Sequence, residues 1–310
     1  MPDPVIRTQG LTRDFKQVRA VDDLDIEVAP GTVFGFLGPN GSGKTTTIRM
    51  LLGLLEPTRG RAQVLGFDTR TQSGEIRQRS GALLEHPGLY ERFSAEDNLG
   101  FFARIWRLPA AERRARIREL LEHFGLWERR KENTAKWSRG MKQKLAVARA
   151  LLHHPTLIFL DEPTAGLDPV AATALRDELA TLAAREGVTV FLTTHNLSEA
   201  ERLCGRVAVI REGKLLAVGH PDELRATGAQ KAEITGGGFT EEVLARLRAR
   251  PEVAAAQLEN GKLSIELRSH AQLAPLVSLL VTAGAQIEEV RKGKASLEEV
   301  FLTLMEEEVE

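Results

Sequence analysis

Hydrophobic and polar residues follow several distinct patterns along the chain. Residues 1–30 alternate between apolar and polar positions, as in "VIRTQGLTRDF", and this alternation predicts short antiparallel strands. Residues 32–37, "TVFGFL", form a compact apolar run, which a glycine-rich turn and the segment "TTIRMLLGLL" follow. This order predicts a buried strand, a turn and a helix.

Residues 96–127 change to a helical pattern. Their apolar positions recur at i, i+3, i+4 and i+7, which places one set of side chains on a single helix face. The set consists of Ile117, Leu120, Leu121 and Phe124. The arginines of residues 113–118 lie on the other face, which we expect to be solvated, with a nucleic-acid-binding patch as the alternative.

Two further apolar segments, "TLIFLD" and "TVFLTTH", each follow a helical segment. Alternating strands and helices predict an α/β fold whose sheet is largely parallel and covered on both faces. Residues 206–219, "RVAVIREGKLLAVG", predict a hairpin that turns at Glu212-Gly213.

Residues 231–310 form a separate pattern with the order βαββαβ and a last helix, which predicts a small α+β ferredoxin-like domain. A turn is expected at Asn260-Gly261. The predicted strands are 231–235, 254–258, 262–267 and 286–290, and the predicted helices are 240–249, 272–283 and 296–307. We therefore expect two domains, 1–222 with a helical subdomain at about 86–155, and an accessory or regulatory domain at 223–310.

The composition limits the function classes. Lys and Arg number 42 and Asp and Glu number 43, so the net charge of −1 argues against a strongly basic nucleic-acid or membrane-surface binder. The one cysteine, Cys204, cannot form an intrachain disulfide, and we expect a small core residue in a reducing cytosol. The longest mostly apolar segment, "LAVARALLHHPTLIFL", is interrupted by charged and polar residues and a proline, so no membrane span is expected, and the first residues lack a signal-peptide pattern.

The segment "GPNGSGKT", residues 38–45, matches the phosphate-binding pattern G-x-x-x-x-G-K-[ST] between a predicted strand and helix. Backbone N–H groups of such a loop surround phosphate oxygens, and the helix N-terminus adds a favourable dipole. Lys44 is expected to reach the β- and γ-phosphates, and the Thr45 hydroxyl to hold Mg²⁺. The alternative is a glycine-rich turn that binds nothing.

Two acids directly follow the apolar residues of "LIFLDEP", residues 157–163. Burying a carboxylate is costly unless a cation or a hydrogen-bond donor meets it. Asp161 is expected to face Mg²⁺ beside the phosphate loop, and Glu162, on the other side of the strand, to polarise the attacking water. A helix N-cap or surface acid is the alternative for Glu162.

Residues 137–169, "WSRGMKQKLAVARALLHHPTLIFLDEPTAGLDP", together with the phosphate loop, resemble the nucleotide-binding subunit of an ABC transporter. The resemblance covers residues of about 5–220. It implies a P-loop ATPase fold with a mixed sheet and a helical subdomain, and Mg²⁺-dependent ATP hydrolysis by a head-to-tail homodimer. It also implies a separate membrane permease as partner, no nucleic acid, and a cytoplasmic protein on the inner face of the membrane.

The resemblance also implies roles for individual residues. Ser138, Arg139, Gly140 and Met141 would contact the ATP held by the opposite subunit, and Asp168 would link the two sites across the dimer. For Ser138 and Asp168 a helix N-cap is a further reading, and Arg139 could simply be solvated. His195 would contact the γ-phosphate and orient the water. The ATP-binding set would be Phe15, Gly38, Pro39, Asn40, Gly41, Ser42, Gly43, Lys44, Thr45 and Thr46.

Three further positions carry open questions. Phe15 would stack on adenine, with a core position as the alternative. Glu85 stands where the family normally has Gln; it would still ligate Mg²⁺ with Thr45 and Asp161, but it adds a negative charge near the γ-phosphate. Tyr90 and Phe93 are candidates for contact with the permease.

The C-terminal segment "SLEEVFLTL", residues 296–304, resembles the ending of the subset of these subunits that serve separate-chain exporters of drugs, lipids or polysaccharides. The acidic residues 306–308 are expected to be a solvated tail. Two other functions are considered, a soluble ABC ATPase acting on nucleic acid or the ribosome, and a regulatory module whose C-terminal domain binds a ligand.

Overall fold

The computed structural model describes residues 3–227, 230–259, 261–268, 272–293 and 296–306. The chain divides into two compact units, Met1–Val218 and Gly219–Glu310. The first unit contains, in chain order, β1 (Ile6–Phe15), β2 (Val18–Leu24), β3 (Glu27–Val28), β4 (Val33–Leu37), α1 (Lys44–Leu51), β5 (Arg59–Val64), β6 (Phe67–Asp68), α2 (Ser73–Arg79), β7 (Ser80–Leu83), α3 (Ala95–Ile105), α4 (Ala110–His123), α5 (Arg139–Ala150), β8 (Leu157–Asp161), α6 (Pro169–Glu186), β9 (Thr189–Thr194), α7 (Leu197–Leu203), β10 (Arg206–Arg211) and β11 (Lys214–Gly219).

The strands of the first unit form two sheets. The first has the order β2-β1-β5-β6, with β3 also paired to β1, and all its pairings are antiparallel, as the alternating pattern of residues 1–30 predicts. The second has the order β11-β10-β4-β9-β8-β7. Its pairings from β10 to β7 are parallel.

The register of the second sheet brings three strand ends together. Leu37 of β4 lies opposite Thr194 of β9, and Asp161 of β8 lies opposite Thr193. Because parallel strands end at the same edge, the loops that follow β4, β8 and β9 meet there. The phosphate loop, Glu162 and His195 belong to these loops, and Asp161 is the last residue of β8.

Aromatic residues of the central strands form the middle of the core. Phe34, Phe36, Phe159 and Phe191 are each fully buried. The ring of Phe191 lies 5.6 Å from those of Phe34 and Phe159 and 5.5 Å from that of Phe36. The same cluster includes Ile6 and Leu11 of β1, so a single core joins both sheets. Burial of each such side chain contributes about 1.5–3 kcal/mol.

The helical segment between residues 96 and 127 is two helices, α3 and α4, separated near Pro109. The predicted apolar set of Ile117, Leu120, Leu121 and Phe124 is buried. The expectation of a solvated arginine face is wrong at Arg116, which is 3% exposed and pairs with Glu186 at 2.8 Å and Glu119 at 2.9 Å. Arg116 is the member of the cluster that faces α6, and the carboxylates of Glu186 on α6 and of Glu119 on its own helix compensate its buried charge.

The second unit contains, in chain order, α8 (Pro221–Thr227), β12 (Gln230–Gly237), α9 (Glu241–Arg248), β13 (Val253–Glu259), β14 (Lys262–Leu267), α10 (Ala274–Thr282), β15 (Gln286–Gly293) and α11 (Leu297–Glu306). Its four strands form an antiparallel sheet with the order β13-β14-β12-β15, and α9 and α10 contribute Leu244, Leu247, Leu276 and Leu280 to its core. The ferredoxin-like assignment stays a prediction. Asn260, part of the expected turn, and the acidic residues 307–308 lie outside the described residues.

Within the described residues, no helix is both long and apolar enough to cross a membrane. Cys204 is buried, and burial raises the pKa of its thiol, which stays protonated at neutral pH.

Candidate functional site

The phosphate loop connects β4 to α1 through a tight backbone turn. A Cβ atom at Gly38 would lie 2.3 Å from the carbonyl oxygen of Ile210, and one at Gly43 would lie 2.3 Å from that of Ala20. Gly43 also has a φ of 102°, which strongly favours glycine. No side chain caps the N-terminus of α1, so the first backbone N–H groups of this helix are available to an anion.

Lys44, the first residue of α1, is buried with its charge compensated by oxygen atoms. Its side chain is 5% exposed. Its Nζ donates to the carbonyl oxygens of Gly38 at 2.8 Å and Pro39 at 2.9 Å, and lies 3.2 Å from Oε1 of Glu162. The loop therefore places one cation directly beside the second of the two tandem acids.

Asp161, at the end of β8, is 6% exposed and is held by two hydroxyl groups. Thr45 donates to its Oδ2 at 2.7 Å, and Thr193 donates to its Oδ1 at 2.6 Å. Hydrogen bonds to an ionised acceptor are stronger than neutral ones and offset the desolvation of the carboxylate. Each oxygen atom of Asp161 is thus held by a hydroxyl from a different element, one from α1 and one from β9.

Glu162 turns away from Asp161 because its backbone is left-handed, with a φ of 49°. Its backbone N–H donates to the carbonyl oxygen of Thr193 at 3.2 Å and to its hydroxyl at 3.0 Å, which fixes the turn. Its side chain is 24% exposed, and Oε2 lies 3.2 Å from Nδ1 of His195. The carboxylate of Glu162 therefore bridges Lys44 and His195, and a left-handed non-glycine residue of this kind is typical of functional sites.

A cavity of about 680 Å³ opens next to these residues. Its lining includes Asn40, Thr45, Glu85, Asp161 and Glu162. Trp137, Arg139, Lys142 and Gln143, from the segment that begins α5, also line it. The cavity has the size of a small-ligand site, and acids and cations both face it.

Glu85 belongs to this cavity, but it is the most exposed acid there. Its side chain is 68% exposed, and Oε2 lies 3.6 Å from Nη2 of Arg49, which is 47% exposed. Glu85 is thus drawn toward a cation on α1. Solvent and Arg49 together screen the extra negative charge, and its metal-ligand role stays a prediction.

The segment Ser138–Met141 begins α5. The hydroxyl of Ser138 accepts from the backbone N–H of Met141 at 3.3 Å, so Ser138 is the N-cap of the helix. Gly140 lies close to α6, since a Cβ there would be 3.3 Å from that of Ala171. The guanidinium of Arg139 lies against Gly166 in the "AGLD" loop, and a side chain at that glycine would have to displace it.

Asp168 is the N-cap of α6. Its Oδ1 accepts from the backbone N–H groups of Val170 at 3.1 Å and Ala171 at 2.9 Å, and Pro169 occupies the first helical turn. The N-cap reading of Asp168 is therefore correct. A linking role in a dimer is compatible with it and stays a prediction.

Phe15, the last residue of β1, is 42% exposed, so the core alternative is wrong. The guanidinium of Arg13 lies 4.5 Å from the centre of its ring. Phe15 pairs with Val18 of β2, the strand that also carries Ala20 against the phosphate loop. Arg13 covers one face of the ring, and a planar ligand group can stack on the part of the ring that is exposed.

Four residues of this region were not singled out from the sequence, namely Thr164, Thr193, Thr194 and Glu199. Thr193 holds Asp161, and Glu199 accepts hydrogen bonds from Thr164 and Thr194. The two adjacent hydroxyl residues at the end of the apolar segment "VFLTT" were a usable signal. Hydroxyls that end a buried strand next to acids are natural donors to them.

Comparison with known proteins places this site in a family. The family model described as ABC transporter matches residues 21–165. The bacitracin transport ATP-binding protein BcrA of Bacillus licheniformis is 37% identical over 302 residues, which cover 97% of this chain and 97% of that protein. The chain belongs to the ABC transporter family. This ABC subunit is also 36% identical to the daunorubicin resistance ATP-binding protein DrrA3 of Streptomyces coeruleorubidus, over 98% of this chain and 96% of that protein.

A solved structure agrees with the sequence comparisons. CbiO1 of Clostridium perfringens, described as part of the ABC transporter complex CbiONQ, matches with a TM-score of 0.68 and 26% identity. The match covers 80% of this chain and 96% of that one. These similarities confirm the predicted family, the P-loop ABC ATPase fold and the function of an ATP-binding, ATP-hydrolysing transporter subunit. They do not support the nucleic-acid or ribosome alternative.

The residues of the ABC subunit fit Mg²⁺ in their chemistry. Mg²⁺ prefers oxygen ligands and usually takes one or two from a protein, the rest coming from water and phosphate. Asp161 and Thr45 supply a carboxylate and a hydroxyl in contact with each other beside the cavity. The described residues contain no group of three or more His, Cys, Asp or Glu side chains that could hold a metal ion.

Proposed function

We propose that this ABC subunit hydrolyses Mg²⁺-ATP at a head-to-tail interface between two copies and thereby drives a separate membrane permease that exports a drug, lipid or similar substrate. The proposed catalysis rests on one observation: the carboxylate of Glu162 lies 3.2 Å from Nζ of Lys44 and 3.2 Å from Nδ1 of His195. It lies beside the Thr45–Asp161 pair at the same edge of the sheet.

In this proposal the phosphate loop binds the nucleotide tail. The residues 38–43, apart from Pro39, and the uncapped N-terminus of α1 supply backbone N–H groups. Lys44 and Thr46, in the first turn of α1, complete the site. The buried hydroxyl of Ser42, with no hydrogen-bond partner among the described residues, is a further donor for this purpose. The exposed ring of Phe15 stacks on the adenine.

Glu162 acts as the general base. A water molecule placed near its carboxylate transfers a proton to it while the water oxygen attacks the γ-phosphorus, and the bond from that phosphorus to the bridging oxygen breaks, so that ADP leaves. His195 keeps the carboxylate and the water aligned. Lys44 would exchange its contact with Glu162 for the phosphates, since the phosphates carry the larger negative charge. When bound, Mg²⁺ would neutralise phosphate charge; Thr45 and Asp161 would hold it, with Glu85 as a further oxygen donor.

The second copy supplies the other side of the nucleotide. Ser138 leads a helix whose first turn contains no acid, and Arg139 adds a positive charge next to it. A helix N-terminus of this kind attracts the γ-phosphate of the facing subunit, and Gly140 and Met141 extend this surface. Asp168, fixed as an N-cap, would link the two sites.

The permease would bind at the aromatic surface made by Tyr90 and Phe93. The two rings lie 5.3 Å apart and are 47% and 41% exposed, and Tyr90 also contacts Phe101 and Phe102. Such exposed aromatic clusters mark protein interfaces. Binding there would hold the chain at the inner face of the membrane. The relatives support export as the direction of transport, since their names refer to bacitracin transport and daunorubicin resistance.

The proposal extends to the second unit. We assign residues 1–222 to nucleotide hydrolysis, with residues of about 86–155 as the helical subdomain. Residues 223–310 form an accessory domain that supports dimerisation or regulation. The separately packed core of this unit is consistent with an independent role.

The substitution Glu162→Gln tests the catalytic assignment. It keeps the size of the side chain but removes the base, so ATP binding should persist while hydrolysis falls at least about 100-fold. The variant should also accumulate as a dimer with Mg²⁺-ATP, measured by size-exclusion chromatography with light scattering. Glu178→Gln is a matched control, since Glu178 pairs with Lys144 on α5 and not with the site. A Glu162→Gln variant that hydrolyses ATP like the wild type would refute the assignment.

A further inference from the structure

A second buried carboxylate lies close to the catalytic pair. Glu199, in the first turn of α7, is 1% exposed. Its Oε2 accepts from the hydroxyl of Thr194 at 2.7 Å and from that of Thr164 at 3.0 Å. Its Oε1 has no hydrogen-bond partner in the described part of the chain. Removing a carboxylate from water costs free energy, and the two hydroxyl donors offset part of this cost.

The two donors come from the two loops that carry Glu162 and His195. Thr194 is the last residue of β9 and directly precedes His195. Thr164 follows Glu162 by two positions, in a turn that the backbone N–H of Ala165 closes onto the carbonyl oxygen of Glu162 at 3.1 Å. One oxygen atom of Glu199 therefore joins the turn after Glu162 to the strand end before His195.

Further hydrogen bonds fix the segment around His195 from the other side. The side chain of Asn196 accepts from the backbone N–H of Glu199 at 3.1 Å. The backbone N–H of Asn196 donates to the hydroxyl of Thr194 at 3.0 Å. His195 thus lies between two residues that are both tied to Glu199, although its own side chain is 54% exposed.

We propose that Glu199 is a positioning residue for ATP hydrolysis, which sets the distance between Glu162 and His195 through Thr164 and Thr194. The inference rests on the roles proposed for Glu162 and His195. It explains how an exposed histidine on a loop keeps a 3.2 Å contact with the carboxylate. Displacement of a catalytic group by about 1 Å can reduce the rate about 100-fold. Loss of the hydrogen bonds to Glu199 should therefore lower kcat more than it weakens nucleotide binding.

The test compares Glu199→Gln with Glu199→Leu in the full chain, with ATP as the substrate. Glutamine keeps a side-chain oxygen that accepts from both threonines, so its kcat should stay within about threefold of the wild type. Leucine keeps the volume but accepts nothing, so its kcat should fall at least about tenfold while the KM for ATP changes less than about threefold. Rescue by glutamine separates positioning from simple packing.

Two hydroxyl variants test the connection independently of the buried charge. Thr164→Val and Thr194→Val keep the shape of each side chain and should each lower kcat in the wild-type background. In the Glu199→Leu background Thr164→Val should have no further effect, because the bond it removes is already absent. Thr194→Val should lose there only the contribution of its second bond, from the backbone N–H of Asn196. If Glu199→Leu does not fold, the two single threonine variants still test the same hydrogen bonds in the wild-type background.

The control is Glu186→Gln, which alters a mostly buried carboxylate bound to Arg116 on α4. It should lower the melting temperature and leave kcat unchanged. A Glu199→Leu variant with wild-type kcat, equal losses for glutamine and leucine, or a Thr164→Val effect that adds fully to that of Glu199→Leu would each overturn the inference. If Glu162→Gln is inactive while Glu199→Leu is not impaired, the positioning role fails and the proposed function stands. If Glu162→Gln hydrolyses ATP normally, the proposed function fails first.

Discussion

Thr193 is the residue whose replacement tests the geometry of the site most directly. It is fully buried at the end of β9, and its hydroxyl donates to Oδ1 of Asp161 at 2.6 Å and accepts from the backbone N–H of Glu162 at 3.0 Å. The substitution Thr193→Val replaces the hydroxyl by a methyl group of similar size. Asp161 then keeps one donor, Thr45, and the N–H of Glu162 keeps the carbonyl oxygen of Thr193.

The expected loss follows from the charge of the acceptor. A hydrogen bond to a charged group contributes about 1.5–3 kcal/mol, so the free energy of unfolding of the variant should be about 2 kcal/mol lower than that of the wild type. Because Asp161 would be oriented from one side only, the activity or the apparent Mg²⁺ affinity should fall about 10-fold, in the range seen when a partner of a metal ligand is removed.

The assay combines urea unfolding with ATP hydrolysis measured over a range of Mg²⁺ concentrations. Thr189→Val is the matched control, because Thr189 lies on the same strand, is 1% exposed, and accepts only a neutral hydrogen bond from the backbone N–H of Gly31 at 2.9 Å. Thr189→Val should lower the free energy of unfolding by about 1 kcal/mol and leave the Mg²⁺ dependence of ATP hydrolysis unchanged. Equal effects of the two variants on the Mg²⁺ dependence would refute the role given to Thr193.

Three other expectations can be measured separately. Gly38→Ala places a Cβ 2.3 Å from the carbonyl oxygen of Ile210, so calorimetry should show at least about tenfold weaker ATP binding. The control Gly74→Ala, which has open space around its Cβ, should bind ATP like the wild type. Burial lowers the pKa of His153 from 6.5 to about 4, so the unfolded chain takes up the proton first as the pH falls. The free energy of unfolding, measured with urea, should therefore fall by about 1–2 kcal/mol between about pH 7.5 and about pH 5. The fall should be smaller in His153→Phe, and an equal fall in both proteins would contradict the assignment. Glu85→Gln removes one negative charge from the cavity and should lower the KM for ATP about twofold at low salt only; a raised KM would instead show that Glu85 is a ligand.

The local motifs of this protein could be predicted because each depends on neighbouring residues. The phosphate loop is a run of glycines between a strand and a helix, and its conformation follows from the backbone freedom of Gly43 at a φ of 102°. The tandem acids directly follow a buried strand, so their position at its end was expected. The helix face of α4 was predicted for the same reason, since its apolar period is local.

The exposure of single side chains was harder to predict. Arg116 shares its sequence surroundings with solvated arginines, but it faces α6 and is buried against Glu186. Phe15 could equally have been a core residue, and its position at the end of a β-hairpin decides that it is exposed. In both cases the neighbour that decides the outcome is distant along the chain or set by the pairing of strands.

The sequence by itself determined which groups this protein brings to phosphate chemistry, because the loop, the two acids and the histidine each follow a recognisable strand. Only the tertiary structure decided how these groups meet. The parallel order of β4, β9 and β8 places Lys44, Glu162 and His195 in contact, and it seats Glu199 between Thr164 and Thr194. The physical reason is that strand order and register are properties of the whole packed core, and no short segment of the chain contains them.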